Sequence, residues 1–381
     1  MNLNNIFVIN YSIKKALHMY IRLTKDGDIK GYCDKLLTFF GLKSHDLEAK
    51  NYFNLLNRNL TSSIVNRFVR RIHTNSNYIL LVSSKLNNLV NWTEWSFHSG
   101  IKNEIIVIGK DITCVKKFEP IIKAQNKKLR LQNKNMMDSI IYAKQIQIAL
   151  LPSLDLISNF RSSFVLFEPK DVVSGDFYWF YKSGCQIYII SIDCTGHGVP
   201  GALMTVLVNA LLNEIIKLDE VELPHQILTL LDSKLTKTLQ TNGKIINDGL
   251  DIAVGLFDFK TMILSFSGAF QNIQILKGNI LEKLAGERYP IGYYPYCEKQ
   301  FKTTHYQLDK GDKFYLYSDG IIDQFGGRLD KKIGSKLFCS QLIESSSMSM
   351  NGQKKSIVNF FKKWKGKHEQ IDDVLVMGFE V

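Results

Sequence analysis

Five aspartates stand at the edges of apolar strands, and this limits what the chain can fold into more than any other feature. Asp176 lies in Val173-Ser174-Gly175-Asp176-Phe177-Tyr178, and Asp193 follows the apolar run 186–192. Asp319 follows 313–317 in Tyr317-Ser318-Asp319-Gly320, and Asp372 and Asp373 precede the apolar stretch 374–377. A carboxylate at the mouth of a buried strand is costly unless positive charge meets it. Any one of these could be a strand-end turn or a helix cap. The same placement at four strand ends points to carboxylates converging on a divalent cation, and all-oxygen ligation favours Mg²⁺ or Mn²⁺ over zinc or copper. Strands are expected over 164–168, 186–192, 251–257, 262–267, 272–276, 313–317 and 374–380. Helices are expected in pairs, 198–217 with 223–240 and 332–343 with 352–365. Strands in runs and helices in pairs define an α+β fold in which helices cover antiparallel sheets.

The stretch Asp193-Cys194-Thr195-Gly196-His197-Gly198-Val199-Pro200-Gly201-Ala202-Leu203-Met204 runs from a strand through a glycine-rich turn into a helix. Glycines let backbone approach a ligand closely. The helix start near Pro200 offers free N–H groups and the positive end of the helix dipole to an anion.

Seven ordered motifs, VVSGDFYWF, DCTGHGVPGALM, NDGLDIAVGLFD, FSGAFQN, YPIG, LYSDGIIDQFGG and QIDDVLVMGFE, resemble the SpoIIE-type branch of the metal-dependent PPM (protein phosphatase 2C-like) serine/threonine phosphatases. The resemblance covers about residues 138–381. It implies a PPM-type antiparallel β-sandwich flanked by helices, with two Mn²⁺ or Mg²⁺ ions at one end. By that resemblance Asp193 bridges both ions and the Cys194 backbone carbonyl binds one of them. Asp176 supports the centre directly or through water, and Asp319 and Asp372 complete the second metal. Asp373 serves a third, weaker ion or only a hydrogen bond. His197 protonates the leaving group or bonds across the glycine-rich turn. Lys170 is the candidate to replace the phosphate-binding arginine of eukaryotic relatives, and the acids of Asn247-Asp248-Gly249-Leu250-Asp251 are read as structural. The implied chemistry is attack of a metal-activated hydroxide on a phosphoserine or phosphothreonine, with no covalent enzyme intermediate. The implied substrate is a phosphoserine regulatory protein such as an anti-sigma-factor antagonist. The alternative is a catalytically silent PPM-fold module that only binds a partner.

Residues 13–117 read as a small α/β unit: a hairpin turning at Lys25-Asp26-Gly27-Asp28, helical pieces over 34–40, 47–56 and 64–72, and strands over 78–84, 90–98 and 104–108. This pattern, closing on Gly109-Lys110-Asp111-Ile112-Thr113, resembles a PAS sensor domain. The flavin-binding cysteine motif is missing, and His18, His45, His73 and His98 are lone histidines, so the sensor ligand stays open. Residues 116–151 read as one uninterrupted helix ended by Pro152. Ile122, Leu129, Met136, Ala143 and Leu150 recur every seven residues, with Asn126, Asn133, Ile140 and Gln147 in the alternate row. Such a seam favours a parallel coiled-coil pair. The expected organisation is a PAS-like domain at 13–117, a helical linker at 118–151 that makes a homodimer, and a phosphatase domain at 152–381.

Charge separates the halves. Residues 1–150 hold 23 Lys and Arg against 10 Asp and Glu, whereas residues 151–381 hold 25 against 26. Basic composition invites a nucleic-acid reading. No helix-turn-helix, zinc-finger or RNA-binding motif accompanies it, so nucleic acid is not the expected partner. Six scattered cysteines without a CxxC pair speak for a reducing cytoplasm. No signal peptide is legible, and no run approaching eighteen apolar residues marks a membrane span.

Overall fold

The computed structural model describes residues 18–40, 42–47, 78–86, 89–99, 104–217, 221–241, 244–245, 248–292, 294, 296 and 298–381. The helices expected over 47–56 and 64–72, apart from Leu47, and the residues His73 and Cys297 lie outside that set. The chain divides into two compact units, residues 1–133 and 134–381.

In the first unit, β1 (Met19–Leu23), β2 (Ile29–Tyr32), β3 (Tyr78–Leu86), β4 (Leu89–Ser99) and β5 (Ile105–Asp111) form one antiparallel sheet in the order β2-β1-β5-β4-β3. Period-two alternation turns Met19, Ile21, Leu23, Trp95, Phe97, Ile105 and Val107 to one face. There they pack with Leu36 of α1 (Asp34–Phe40) and Leu47 of α2 (Ser44–Leu47). The β1–β2 turn falls at the expected residues, with Gly27 at φ +91° and its N–H donating to the Thr24 carbonyl.

Helix α3 runs Thr113–Leu150, three residues longer at its start than the sequence suggests, because the Asp111 carboxylate caps the Thr113 N–H at 2.9 Å. It is not free of breakers as that reading requires, since Pro120 lies inside it. Gln147 also departs from its expected role. It is buried in the second unit, where its amide donates to the Ser174 carbonyl (2.6 Å) and Thr205 Oγ1 (3.0 Å) and accepts from the Ser174 N–H (3.0 Å). A seam residue would face another helix; Gln147 instead anchors α3 to the loop that leads to Asp176.

The second unit has four layers. One sheet contains β7 (Asp176–Ser183), β8 (Gln186–Cys194), β9 (Gly249–Asp258), β10 (Ile263–Ala269) and β13 (Thr304–Gln307), with Ile291–Gly292 as a short sixth strand beside β9. The other contains β6 (Ser162–Glu168), β11 (Ile273–Lys277), β12 (Ile280–Leu284), β14 (Lys313–Tyr317) and β15 (Val374–Glu380), in the order β12-β11-β14-β15-β6. Between them lies an apolar core of Ile187, Ile189, Phe257, Phe266, Phe314, Met377 and Phe379 among others. Helices α4 (Gly198–Ile215) and α5 (Pro224–Leu239) cover the first sheet. Helices α7 (Gly334–Glu344) and α8 (Met350–Lys365) cover the second, and the single turn α6 (Gly320–Asp323) sits at its edge. Both sheet faces are therefore buried, which explains the nearly continuous apolar runs of β8 and β14.

Two helical segments, Thr113–Ile157 and Gly198–Ile215, are long and apolar enough by length and composition to cross a membrane. The second is α4, whose Val208, Leu212 and Ile215 are core residues of the sandwich.

Candidate metal centre

Antiparallel register brings the first three carboxylates into one row. Asp176 of β7 pairs with Asp193 of β8, and Asp193 pairs with Asp251 of β9. Directly paired residues project to the same side, about 5 Å apart. This side faces the gap between the sheets, because the neighbours two positions on, Tyr178, Ser191 and Ala253, alternate with the helix-facing Phe177, Ile192 and Ile252. Asp193 is thus the last inward residue of a strand that runs on to Cys194, beyond the expected end at 192.

The second sheet closes on this row through Ser318. Its hydroxyl donates to Asp176 Oδ2 at 2.5 Å and accepts from the Leu375 N–H at 3.0 Å, while its own N–H donates to the Leu375 carbonyl. One serine therefore joins β7, β14 and β15. Asp319 follows it at the N-cap position of α6, its side chain making no capping bond, and Asp372 accepts the Asp373 N–H at 2.9 Å. Asp373 is buried and uses both carboxylate oxygens on backbone donors, Lys170 N–H and Gly175 N–H, each at 2.7 Å. The Lys170 backbone, rather than its ammonium group, is thus the part tied to the site. His197 precedes α4 with its Nδ1 2.7 Å from Asp171 Oδ2, and both side chains are half exposed.

Electrostatics show what this cluster lacks. Asp176 is 2% exposed; burial, then the Asp193 charge, push its carboxyl well above the usual range. Burial raises Asp193 as well, reinforced by Asp319, Asp251 and Asp372. Asp319 is raised by burial and by Asp372, and Asp251 is pushed up to about 7 by burial and by Asp319. Four carboxyls raised chiefly by burial and by one another form a concentration of acid groups that Lys332, acting on Asp319, offsets only in small part. Among the described residues no group of three Asp, Glu, His or Cys side chains is arranged to hold an ion unaided. An oxygen-only donor set still fits Mg²⁺ or Mn²⁺, since such ions keep several waters and take only one or two carboxylates each.

The structure brings Asp176, Asp193, Asp319, Asp372 and Asp373 to one end of the sandwich, with Cys194 buried beside them. Asp251, read from the sequence as structural, stands in the same row beside Asp193. The sequence signal was available: Asp251 opens a strand whose alternation makes it an inward residue, as Asp193 is in its own strand. Ser318 was inside a quoted motif but gave no sign of its cross-sheet bond.

A double antiparallel sandwich with paired outer helices and an acidic end is the architecture of the PP2C-like protein phosphatases. The comparisons agree. A family model described as Stage II sporulation protein E (SpoIIE) matches residues 183–381, and the chain belongs to that family. The SiaA PP2C domain of Pseudomonas aeruginosa is 30% identical over 66% of this chain and 98% of that domain, with a TM-score of 0.60. The RsbU and RsbW domains of Rv1364c from Mycobacterium tuberculosis match at 16% identity, covering 58% of this chain and 60% of theirs (TM-score 0.47). The PP2C domain with a regulatory fragment of SpoIIE from Bacillus subtilis matches at 14% identity, covering 83% of this chain and 73% of its own (TM-score 0.47). No curated protein sequence matches the chain.

Proposed function

We propose that this chain is a Mn²⁺- or Mg²⁺-dependent serine/threonine phosphoprotein phosphatase governed by its N-terminal unit. The observation that carries the reading is the Asp176–Asp193–Asp251 row, closed from the opposite sheet by Ser318, Asp319 and Asp372. In this reading Asp193, central in the row and facing Asp319, would be the principal cation ligand. Asp176, Asp319, Asp372 and the Cys194 carbonyl complete the oxygen set. Bound there, the cations supply hydroxide at neutral pH and offset charge on the phosphoryl oxygens. Ser318 fixes the Asp176 carboxylate, and Asp373 holds the 170–175 loop by its two backbone bonds rather than by taking an ion. The test is phosphate release from a phosphoserine peptide by the full chain, abolished by EDTA and restored by Mn²⁺. A chain that releases no phosphate with either ion is the silent binding module instead.

His197, oriented by Asp171 and open to solvent, is assigned the proton for the departing serine oxygen. Replacing it with Ala is expected to lower kcat on phosphoserine by about 10²-fold or more, the usual scale of general acid catalysis. p-Nitrophenyl phosphate, whose leaving group needs no proton, should lose little. Equal losses on both substrates would assign His197 to the turn alone.

The first unit is proposed as a PAS-like sensor. Its order β2-β1-β5-β4-β3, with short helices after β2, supports that reading. Helix α3 is proposed to pair two chains in parallel. In support, Ile122, Leu129 and Met136 are each more than half exposed along one heptad row. Light scattering of the full chain should show a dimer at tens of micromolar, roughly where a weak coiled coil assembles, and Leu129→Asp with Met136→Asp should return it to monomer. A wild-type chain that stays monomeric sinks the pairing. The substrate class we propose is a phosphoserine regulatory protein. The unpaired cysteines at 33, 114, 185, 194 and 339 fit a cytoplasmic setting.

A further inference from the structure

A second feature of the phosphatase unit lies outside the carboxylate cluster. The end of α8 and the hairpin Phe325–Gly326/Lys331–Lys332 border an open cavity of about 540 Å³, lined by Arg328, Lys363, Lys365 and Lys367 together with Phe360 and Trp364. The aromatic floor is fixed. Trp364 Nε1 donates to the Lys331 carbonyl at 3.2 Å, its ring lies 6.3 Å from that of Phe360, and the Gly327 N–H donates to the Trp364 carbonyl at 2.9 Å. A side chain at Gly327 would press on the indole ring at about 3.0 Å, so glycine there keeps the cavity open.

The charge around this cavity is one-sided. Residues 325–368 hold ten Lys and Arg against two Asp and Glu, which leaves 15 against 24 for the remainder of 151–381. One of the two acids, Asp330, is engaged by His368 at 3.4 Å, and nearby Asp323 by Lys332 at 2.6 Å. Among the described residues Arg328, Lys363, Lys365 and Lys367 make no ion pair. Four cations without an ion-pair partner line this surface beside two aromatic rings, a combination that attracts an anionic occupant.

Position ties the cavity to the catalytic end. The segment that follows Asp319 and the segment that precedes Asp372 both lead into it. Gln324 locks the two together, donating to the Glu369 carbonyl (3.0 Å) and accepting from the Ile371 N–H (3.3 Å). His368 is four residues from Asp372, so they are separated by at most about 14 Å of chain.

We propose that this cavity docks an acidic segment of the phosphoprotein substrate, with Glu or Asp side chains within roughly four residues of the phosphoserine, the longest extended span that this upper limit allows. The proposal rests on the phosphatase reading above. A short acidic peptide fits better than a nucleic acid. The basic patch is small, and a long polyanion would run off it onto the acidic remainder of the unit.

The experiment uses the full chain, wild type and Lys363→Glu/Lys365→Glu/Lys367→Glu, with two fluorescein-labelled phosphoserine peptides. One carries Glu at positions three to five from the phosphoserine, and the other carries Ala there. Anisotropy in EDTA reads binding without turnover, and phosphate release in Mn²⁺ reads catalysis. Wild type is expected to favour the Glu peptide about tenfold in both measurements, the scale of a few exposed ion pairs acting together, and to lose the preference at high salt. The triple Glu variant should lose the preference while keeping wild-type turnover of the Ala peptide and of p-nitrophenyl phosphate. The triple Arg variant should retain it. Binding preference without any turnover supports the docking site and removes the phosphatase reading. Equal wild-type affinity for both peptides, a preference that survives in the triple Glu variant, or tighter binding of a single-stranded oligonucleotide of equal charge overturns the proposal.

Discussion

Asp193→Asn is expected to abolish phosphatase turnover and, in the same protein, to raise the melting temperature measured in EDTA. The two effects have one cause. Asp193 stands in register between Asp176 and Asp251 and is opposed by Asp319 and Asp372. Asn has the same shape and keeps an acceptor oxygen, but it removes the charge that repels all four neighbours. In metal-free protein this relieves a cluster whose members are already held above their ordinary range by burial and by one another. With cations present the sign is expected to reverse, because in the proposed centre the Asp193 charge would help to bind them. Turnover should fall by at least about 10²–10³-fold, the scale for losing a group that stabilises transition-state charge. The rise in melting temperature on adding Mn²⁺ should shrink, since ligand stabilisation follows the ratio of ion concentration to Kd. An ordinary strand-end aspartate would behave oppositely, with Asn costing stability in EDTA and leaving turnover intact. That result would falsify the two-cation reading.

The sandwich was legible because its strands are buried on both faces and so appear as uninterrupted apolar runs. The 313–317 and 374–380 strands coincide with β14 and β15. Strands with one solvated face were harder to see. Ile280–Leu284, with Glu282 and Lys283 exposed, carries no apolar run and was not anticipated. The carboxylates at strand mouths could be read individually, but their grouping depends on register, which pairs residues far apart in sequence. Asp251 shows the limit: strand alternation makes it an inward residue, but only its alignment with Asp193 places it in the row. Gln147 shows the opposite failure. A heptad count placed it in a helix seam, yet its amide meets the Ser174 backbone and Thr205, partners 27 and 58 residues away that periodicity cannot reveal. Pro120, plain in the sequence, removes one helical hydrogen bond from the linker as an interior proline must.

Gly201→Ala is expected to abolish the proposed phosphatase turnover without unfolding the chain, although Ala is the better helix former by about 1 kcal/mol. Gly201 lies in the first turn of α4, where a Cβ would come within 2.3 Å of the Gly196 carbonyl oxygen and 2.8 Å of the Gly175 Cα. Both are backbone atoms, so no side chain can swing aside. Gly175 has the same constraint, its own Cβ position being 2.4 Å from the Gly196 oxygen. The glycine-rich turn after Asp193-Cys194 therefore rests directly on the loop that ends at Asp176, whose Gly175 carbonyl also accepts the Cys194 N–H at 3.1 Å. A methyl group at 201 must separate these two segments by an appreciable fraction of an ångström. They carry Asp176, Asp193 and the Cys194 carbonyl, so the separation acts on the spacing of the proposed cation ligands. A displacement near 1 Å in such a site costs about 10²-fold in rate. Gly278→Ala is the matched control. It lies in the β11–β12 turn at φ +57° with nothing within 4 Å of its Cβ position. It should lose about 1–2 kcal/mol of stability from the left-handed backbone and none of the turnover. Circular dichroism, melting temperature and Mn²⁺-dependent phosphate release on the two variants separate the cases. If Gly201→Ala turns over at the wild-type rate, the turn does not set the spacing of the carboxylates, and the contact with Gly175 is packing alone.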